Sequence, residues 1–248
     1  MPSSPAASAT APAGSAPYCA VADVPTPIAD YDRHAETFLD WTYLLPDGYE
    51  PPDLVFALTG APRGPALRGV ELPRPADLLL RRGDPAYLEL LADDRQALVR
   101  AIVYEDLRAM RQAATAAGVR LVVLSAYRSY ARQVATFDYW VGVSGYQRAL
   151  DASARPGHSE HQLGTTIDFG DAAAAPWEYA DWAGTPSGAW LRDHAREFGF
   201  VMSYPSGSRA VTCYDYEPWH YRWIGRDLAT EVVARMIPLR EYQAGGRR

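Results

Sequence analysis

The most regular apolar pattern in the chain predicts a helix from about Asp94 to Ala117. Its apolar residues recur at steps of three and four, which places them on one helical face: Val99, Val103, Leu107, Met110, Ala114 and Ala117. Asp93 or Asp94 suits the start of this helix as a cap, and Gly118 suits the left-handed position after its end. The apolar run over 119–126 predicts a buried strand, and a second helix is predicted to follow through about Trp140.

The remaining patterns predict shorter elements on both sides of this segment. Helical spacing predicts a helix over 28–45, and the turn-rich segment 45–55 ends in a short extended run. Residues 60–86 are rich in Pro, Gly and Arg, which predicts a loop-rich insertion. In the second half we expect strands at 165–168, 200–204, 211–216 and 219–224, and helices at 187–198 and 225–236. Because helices come first and most strands come later, the expected fold is α+β, with a mainly antiparallel central sheet flanked by helices.

Length and composition fit one globular domain, since 48% of the 248 residues are hydrophobic and 22% are charged. Residues 1–17 are almost entirely Ala, Ser, Pro, Gly and Thr, so we expect a disordered linker there and one domain over 18–248. This start lacks the basic and apolar regions of a signal peptide, and no apolar run is long enough to predict a membrane span. The net charge of -6 argues against nucleic acid as a partner.

Two cysteines, Cys19 and Cys213, leave two alternatives open. They are either unrelated thiols or one disulfide that ties the N-terminal arm to the second half of the chain. We favour the disulfide, because closing so long a loop stabilises a fold by as much as about 5 kcal/mol in the chain-entropy model. Such a bond requires an oxidising compartment.

The residues best suited to chemistry lie in two short clusters, 159–168 and 217–220. The first contains His161 and Asp168, and the second contains His220. Two imidazoles and one carboxylate suit zinc and leave a fourth position for water, as in zinc hydrolases. A turn at Gly164 would bring His161 and Asp168 to one point, while His220 would come from a neighbouring strand.

Glu217 is the spare carboxylate of the second cluster, and we predict that it transfers protons. In a regular strand Glu217 and His220 would face opposite sides, but Pro218 favours a bulge or an edge position that turns both inward. Glu217 could then accept a proton from the attacking water and pass it to the leaving amine. Taken singly, each ligand or carboxylate is more often a structural histidine, a turn residue or a surface charge. Their order and spacing together indicate a metal site.

The other histidines fit a metal site less well. His34 and His194 are predicted on helices, as surface or core residues. His158 is close enough to line the site, but His161 is the better ligand because it is in register with Gly164 and Asp168.

Three motifs in this order resemble a known family. The pattern Ser-x-His-x-x-Gly-x-x-x-Asp over 159–168, followed by Glu-x-x-His over 217–220, resembles the zinc D-alanyl-D-alanine carboxypeptidases of the VanY type. That group belongs to the LAS superfamily of peptidoglycan peptidases. Residues 125–133, Ser-Ala-Tyr-Arg-Ser-Tyr-Ala-Arg-Gln, resemble the arginine segment of the family. The resemblance covers roughly residues 25–240 and implies a single-domain zinc peptidase fold of the LAS and hedgehog type.

The resemblance implies a zinc ion, one per chain, held by His161, Asp168 and His220. It also implies that Glu217 is the catalytic base and acid. The fold, the metal and the proton shuttle expected from the residues alone agree with this assignment.

The same resemblance implies roles for three further residues. Arg128 would stabilise the oxyanion that develops on the scissile carbonyl, because its charge is fixed. Ser159 and Gln133 would hold the terminal D-alanine of the substrate. Two departures are present: Thr166 stands where the family often has alanine, and the 60–86 insertion has no clear family counterpart.

The expected function is zinc-dependent hydrolysis of the terminal D-Ala–D-Ala bond of peptidoglycan stem peptides by a monomer outside the cytoplasm. Within the same class, the alternatives are an endopeptidase or an L,D-carboxypeptidase that cuts another bond of the same stem. An alternative from another class is a catalytically inactive, zinc-containing binding module. Glu217 and Arg128 argue against that module, because a protein that only binds has no use for a proton shuttle.

Overall fold

The computed structural model describes residues 19, 26–27, 37–64, 96–171 and 174–245 of the chain. The strands in these ranges are β1 Thr26–Pro27, β2 Tyr43–Leu44, β3 Leu54–Phe56, β4 Leu98–Arg100, β5 Val122–Ser125, β6 Thr166–Gly170, β7 Phe200–Met202 and β8 His220–Trp223. The α-helices are α1 Ala101–Ala116, α2 Tyr130–Ser144, α3 Tyr146–Ala152, α4 Pro186–His194, α5 Arg209–Thr212, α6 Arg226–Arg235 and α7 Leu239–Gln243. Short 3-10 helices lie at Glu160–Leu163, Pro176–Glu178, Trp182–Gly184 and Ala195–Phe198. Within the described ranges, no helix combines the length and apolar character needed to cross a membrane.

The central sheet has the strand order β5-β6-β8-β7, and each neighbouring pair is antiparallel. The predicted α+β fold with a mainly antiparallel sheet is therefore confirmed. Of the smaller pairs, β3–β4 is antiparallel and β1–β2 is parallel. The register places Asp168 of β6 opposite His220 of β8 and, on its other side, beside Ser125 of β5. Residues from separate parts of the chain therefore meet in the middle of the sheet.

The two faces of this sheet differ in chemistry because side chains alternate along each strand. One face packs into the main core with side chains of α1 and α4, and it presents Ile167, Phe169, Tyr221 and Trp223. Alternation places Asp168, His220 and Arg222 on the opposite face, and all three are buried. One face of the sheet therefore packs on the apolar core, and the opposite face presents the buried polar residues of the candidate site.

Helix α1 begins at Ala101 rather than at the predicted Asp94, because the residues before it form strand β4. Val99 continues the helical spacing, but it is buried as a strand residue paired with Val55 of β3. The tertiary pairing therefore overrides the local helical pattern. The predicted caps Asp93 and Asp94 lie outside the described residues. Gly118 has a φ of +75°, which confirms the left-handed position expected after the helix.

The helix predicted over 28–45 is wrong in its described part. Residues 37–42 form no helix, and Tyr43–Leu44 is strand β2. Oδ1 of Asp40 accepts hydrogen bonds from the backbone N–H groups of Thr42 at 2.6 Å and Tyr43 at 2.9 Å. This side-chain turn satisfies the backbone groups that a helix would use. Residues 28–36 lie outside the described residues, and so do residues 65–86 of the predicted insertion.

The strand predicted over 211–216 is also wrong, because helix α5 covers its start and Cys213 follows with a φ of 73°. Cys213 and Tyr214 are consecutive and both pack with Tyr204, whereas neighbours in a strand would face opposite sides. Cys213 forms a disulfide with Cys19, with their Cα atoms 5.1 Å apart. The disulfide that we favoured from the sequence is therefore confirmed.

The other predicted elements are confirmed with shifted ends. The buried strand predicted over 119–126 is β5, and the helix after it, α2, extends to Ser144. The strands predicted at 165–168, 200–204 and 219–224 are β6, β7 and β8. Helices α3, α5 and α7 were not predicted.

Candidate metal centre

Three potential metal ligands meet on the polar face of the sheet. Ligand atoms of His161, Asp168 and His220, all buried, lie within 4.8 Å of one another. Nε2 of His161 is 3.1 Å from Oδ2 of Asp168, and Nδ1 of His220 is 3.2 Å from Oδ1 of Asp168. The two imidazole rings stand nearly perpendicular, with centroids 5.0 Å apart. The structure thus brings together the three residues that the sequence predicts as ligands.

A tight turn positions His161 and leads into the strand that carries Asp168. The hydroxyl of Ser159 accepts the backbone N–H of His161 at 3.4 Å and caps the 3-10 helix Glu160–Leu163. Gly164 ends this helix in the left-handed region, with a φ of 73°. A Cβ atom there would lie 3.1 Å from Arg100 and 3.2 Å from a carbon of Leu54, so both the conformation and the space favour glycine.

The main chain fixes the orientation of His161. Its Nδ1 makes a hydrogen bond of 2.7 Å with the carbonyl oxygen of Ala126, and the backbone N–H of Arg128 donates to the carbonyl oxygen of His161 at 3.1 Å. Burial lowers the pKa of His161 to about 4, although Asp168 opposes this shift. The bond to Ala126 places a proton on Nδ1, which leaves Nε2, facing Asp168, as the atom available to a metal.

A turn, rather than the predicted bulge, brings Glu217 beside His220. The backbone N–H of His220 donates to the carbonyl oxygen of Glu217 at 3.1 Å, which closes a turn just before β8 begins. Oε2 of Glu217 then lies 3.4 Å from Nδ1 of His220. The bulge or edge position expected at Pro218 is wrong, because residues 217–219 lie outside the strand, which begins at His220. Both side chains nevertheless reach the same point.

The environment of Glu217 suits a group that exchanges protons near neutral pH. Burial raises the pKa of Glu217 to about 7, with a contribution from the charge of Asp168, although His220 and Arg128 oppose the shift. The side chain retains 16% of its exposure, so it stays accessible to a reactant. A general base works best when its pKa lies near the working pH.

A buried acceptor without a hydrogen bond supports a cation at this point. Oδ1 of Asp168 is buried and accepts no hydrogen bond of regular geometry in the part of the chain that the structure describes, although Nδ1 of His220 lies 3.2 Å away. Burial opposes ionisation of Asp168, but His161 and His220 outweigh it and hold its pKa far below the usual range. An ionised carboxylate with two imidazole nitrogens is a donor set that suits zinc. The residues present therefore fit the metal.

The ring of His220 must lose a proton when it binds a metal ion. Burial favours its neutral form, but contacts with Asp168 and Glu160 outweigh burial and raise the pKa of His220 to about 10. A cation at Nδ1 replaces the proton that Asp168 attracts, whereas the proton on Nε2 stays beside Glu160.

Arg128 flanks the three ligands. Its Nη2 lies 3.7 Å from Oδ2 of Asp168, and its side chain is 17% exposed. Nη1 donates to Oε1 of Gln133 at 2.9 Å, and Nη2 donates to the hydroxyl of Ser125 at 3.3 Å. Gln133 is fully buried, and its amide nitrogen donates to the carbonyl oxygen of Ala154 at 2.6 Å. With both ends of its amide engaged, Gln133 is better placed to hold Arg128 than to contact a substrate.

The sequence reasoning missed a third acidic residue at the site, Glu160. Its carboxylate lies 3.0 Å from Nε2 of His220 and 2.8 Å from Nη1 of Arg222. Burial would raise the pKa of Glu160, but Arg222 and His220 outweigh it and lower it to about 2, so the group is ionised. The position of Arg222 could have revealed this residue. It follows His220 by two residues on the same face of the strand, where a buried arginine requires an acidic partner.

The region that carries this site is shared with known proteins. Residues 96–226, slightly more than half of the chain, match the family model described as VanY, D-alanyl-D-alanine carboxypeptidase. The chain belongs to the VanY family. The resemblance inferred from the motifs is therefore confirmed, and the matched region contains every predicted VanY-type site residue.

Two curated relatives show how far the similarity extends. YodJ of Bacillus subtilis is 33% identical over 168 residues, which are 68% of this chain and 60% of YodJ. The D-alanyl-D-alanine carboxypeptidase of Enterococcus faecalis is 32% identical over 164 residues, covering 62% of this chain and 58% of the enzyme. The chain thus spans about three fifths of the length of these curated relatives.

Solved structures agree with the VanY-family fold. The LD-carboxypeptidase LdcB, solved in a study of peptidoglycan recognition, has a TM-score of 0.67 and 29% identity, with 89% of this chain and 90% of LdcB covered. A vancomycin-resistance D,D-pentapeptidase VanY, solved in complex with Zn(II), has a TM-score of 0.58 and 22% identity, with 84% and 98% covered. At that identity the second comparison shows the shared fold.

Proposed function

We propose that this VanY-family chain is a zinc-dependent D,D-carboxypeptidase that removes the terminal D-Ala from peptidoglycan stem peptides. One observation carries the proposal: His161, Asp168 and His220 face a common point, with Glu217 3.4 Å from His220 and Arg128 3.7 Å from Asp168. These groups together suit metal binding, proton transfer and stabilisation of negative charge. The description of the family model and the name of the E. faecalis relative support the D-Ala–D-Ala bond as the target.

We assign the metal ligands as Nε2 of His161, the carboxylate of Asp168 and Nδ1 of His220. When zinc is bound there, it supplies a Lewis acid and lowers the pKa of water towards about 7. The ligand set carries one negative charge, so one net positive charge remains. Glu217 lies 3.4 Å from His220 and Arg128 lies 3.7 Å from Asp168, so we place the reactants beside these two residues.

Glu217 would move the proton. As a carboxylate it takes a proton from the attacking water, and as a carboxylic acid it gives that proton to the amine of the departing D-Ala. Its pKa of about 7 makes both forms accessible at neutral pH.

Arg128 would stabilise the negative charge that develops on the scissile carbonyl oxygen. Its guanidinium is held by Gln133 and Ser125, so it is in position before the reaction begins. A preorganised charge in a partly buried site is worth more than the same charge in water. Ser159 remains a predicted contact for the terminal D-Ala, beside its observed role in capping the turn.

An L,D-carboxypeptidase is the second candidate, and the likeness to LdcB over 89% of this chain favours it. Both activities remove one D-Ala and would use the same ligands and the same acid–base group. They differ in the stereochemistry of the residue on the other side of the cleaved bond, which the shape of the substrate pocket selects.

Product analysis separates these candidates. Purified protein with one equivalent of zinc would be incubated with a stem peptide ending in D-Ala–D-Ala and with the same peptide shortened by one D-Ala, and the products weighed by mass spectrometry. Loss of D-Ala from the longer peptide alone supports the D,D activity, and loss from the shorter peptide alone supports the L,D activity. Cleavage at an internal bond identifies an endopeptidase, whereas binding without cleavage identifies an inactive module and contradicts the proposal.

We also propose that the protein works outside the cytoplasm, where peptidoglycan lies. The disulfide between Cys19 and Cys213 supports an oxidising compartment. Protease treatment of intact cells would test this location, since a protein outside the membrane becomes accessible before lysis.

A further inference from the structure

The carboxylate of Glu160 is held from three directions although it lies next to a proposed ligand in the sequence. Oε1 accepts a hydrogen bond of 2.8 Å from Nη1 of Arg222. Oε2 accepts the hydroxyl of Ser203 at 2.6 Å and lies 3.0 Å from Nε2 of His220. Glu160 follows Ser159 and precedes His161, yet its side chain serves the other histidine.

The charged groups of Glu160 and Arg222 are buried, and burying a charge costs free energy. Glu160 is 5% exposed and Arg222 is fully buried. A buried ion pair is weak evidence for stability, because an apolar pair of similar volume often stabilises a fold as well. A functional role therefore accounts better for this ion pair than a contribution to stability does. The contact between Glu160 and His220 indicates that this role concerns His220.

The sheet supplies the geometry of the contact. Arg222 lies two residues after His220 on β8, so both side chains project from the same face. Ser203 follows β7, and its backbone N–H donates to the carbonyl oxygen of His220 at 3.3 Å. The ring of Tyr204 lies against His220, with centroids 4.7 Å apart. Glu160 thus lies at Nε2 of His220, whereas Asp168 lies at Nδ1 of the same ring.

We propose that Glu160, held by Arg222 and Ser203, is the positioning residue for His220. By accepting the proton on Nε2, it fixes that proton there and presents the lone pair of Nδ1 to the metal. Outer partners of this kind orient a ligand ring and raise its basicity, and their loss typically weakens metal binding by about 10–100-fold. The inference rests on the metal site of the proposed function, but it concerns metal binding and not the bond that is cleaved.

A matched pair of variants tests this inference. Glu160→Gln removes the charge and keeps the size of the side chain. Asp106→Asn does the same to a carboxylate on α1 that accepts the ring N–H of Trp223 at 2.8 Å and the guanidinium of Arg226 at 2.7 Å. Both variants therefore neutralise an acid that holds one aromatic ring of β8 and one arginine, but only Glu160 touches a proposed ligand.

Zinc dissociation constants would be measured by competition with a chelator, without substrate, together with the melting temperature. We expect Glu160→Gln to raise the dissociation constant about 10–100-fold and Asp106→Asn to change it less than about twofold. In nitrogen-15 spectra of the zinc-loaded protein, the proton on Nε2 of His220 should move upfield in Glu160→Gln only. An unchanged constant in Glu160→Gln, or an equal loss in Asp106→Asn, overturns the inference.

Ser203→Ala gives a second test if Glu160→Gln does not fold. It keeps both charges and removes one hydrogen bond to the oxygen that faces His220. We expect the zinc dissociation constant to rise by up to about tenfold, the value of one charged hydrogen bond. Ser187→Ala, which removes a buried hydroxyl that donates to the carbonyl of Arg120 at 3.0 Å, is the control. An unchanged constant in Ser203→Ala contradicts the inference. A wild-type protein that binds zinc but cleaves no stem peptide contradicts the proposed function alone.

Discussion

His161 and His220 contribute the same chemical group to the candidate site, but the protein secures them in different ways. The second nitrogen of His161 bonds to the main-chain carbonyl of Ala126 at 2.7 Å. The second nitrogen of His220 lies 3.0 Å from the carboxylate of Glu160, which Arg222 and Ser203 hold in turn. One support is part of the backbone, and the other is built from charged side chains.

The two supports therefore respond differently to substitution. A backbone carbonyl persists through any substitution at Ala126 that leaves the fold intact. A carboxylate can be neutralised by one substitution, and its charge raises the basicity of the ring that it contacts. Glu217, the proposed proton shuttle, lies beside His220, whereas the backbone N–H of Arg128 donates to the carbonyl oxygen of His161. Variants near His220 and variants near His161 should therefore affect different steps.

The largest effect is expected at the His220 side from Glu217→Ala. Loss of the proton shuttle should lower kcat by about 10²–10⁴ while zinc remains bound, because Glu217 is not a proposed ligand. Steady-state kinetics on stem peptides and metal analysis of the same sample check both statements. Glu105→Ala on the surface of α1 is the control, since its side chain is 69% exposed and pairs with Arg108. Undiminished turnover in Glu217→Ala would remove Glu217 from its assigned role.

On the His161 side, Arg128→Ala should lower kcat by about 10²–10³, the range for losing one stabiliser of a developing oxyanion. Zinc binding should change little, because Arg128 approaches Asp168 only at 3.7 Å. Arg192→Ala removes an exposed arginine paired with Asp193 and serves as the control. A kcat equal to that of the wild type would exclude Arg128 as the oxyanion group.

The contrast between the two sides also explains what the sequence could predict. His161 and Asp168 are joined by one local turn at Gly164, and local spacing is visible in a sequence. Glu217 lies beside His220 as expected, although a turn brings it there and not the expected bulge or edge position. The contact of Glu160 with His220 and Arg222 was harder to predict, because these residues are far apart in the sequence. The strand pairing of the sheet brings them together. The same reason explains the misplaced start of α1, where pairing of β4 with β3 outweighs helical periodicity.

A third histidine, His158, isolates the effect of burial on an imidazole without a proposed metal role. Its Nδ1 lies 2.5 Å from the carbonyl oxygen of Asp40, and burial lowers the pKa of His158 to about 4, with Arg155 contributing. In the unfolded chain the pKa of His158 is near 6.5, so between pH 6.5 and 4 the unfolded chain binds a proton at His158 that the folded chain does not bind. The free energy of unfolding therefore falls as the pH drops from about 6.5 to 4.

Between pH 7 and pH 5 this histidine should remove about 2 kcal/mol of the free energy of unfolding. Urea titrations at both pH values should show that His158→Gln loses less stability than the wild type by that amount. His194→Gln, at a histidine whose side chain is 45% exposed, should lose as much as the wild type. An equal loss in the wild type and in His158→Gln would contradict this account.

The smallest effect is expected from Gln133→Met, which removes the amide that holds Arg128 at 2.9 Å. If Gln133 acts through Arg128, kcat should fall about tenfold, because that is the value of one charged hydrogen bond, and KM should change little. If Gln133 instead contacts the terminal D-Ala, KM should rise and kcat should change less. The ratio of the two effects decides between a positioning role and the substrate contact predicted from the sequence.

The most direct test of the metal centre is the zinc content and zinc affinity of the wild type beside His161→Ala and His220→Ala. The account predicts one zinc ion per wild-type chain. Both variants should bind zinc more than about 100-fold more weakly, because losing a ligand should exceed the range for an outer partner such as Glu160. The two losses should be alike, since the histidines differ in their supports and not in their role. A wild-type protein that binds no zinc, or a variant that keeps wild-type affinity, would contradict it.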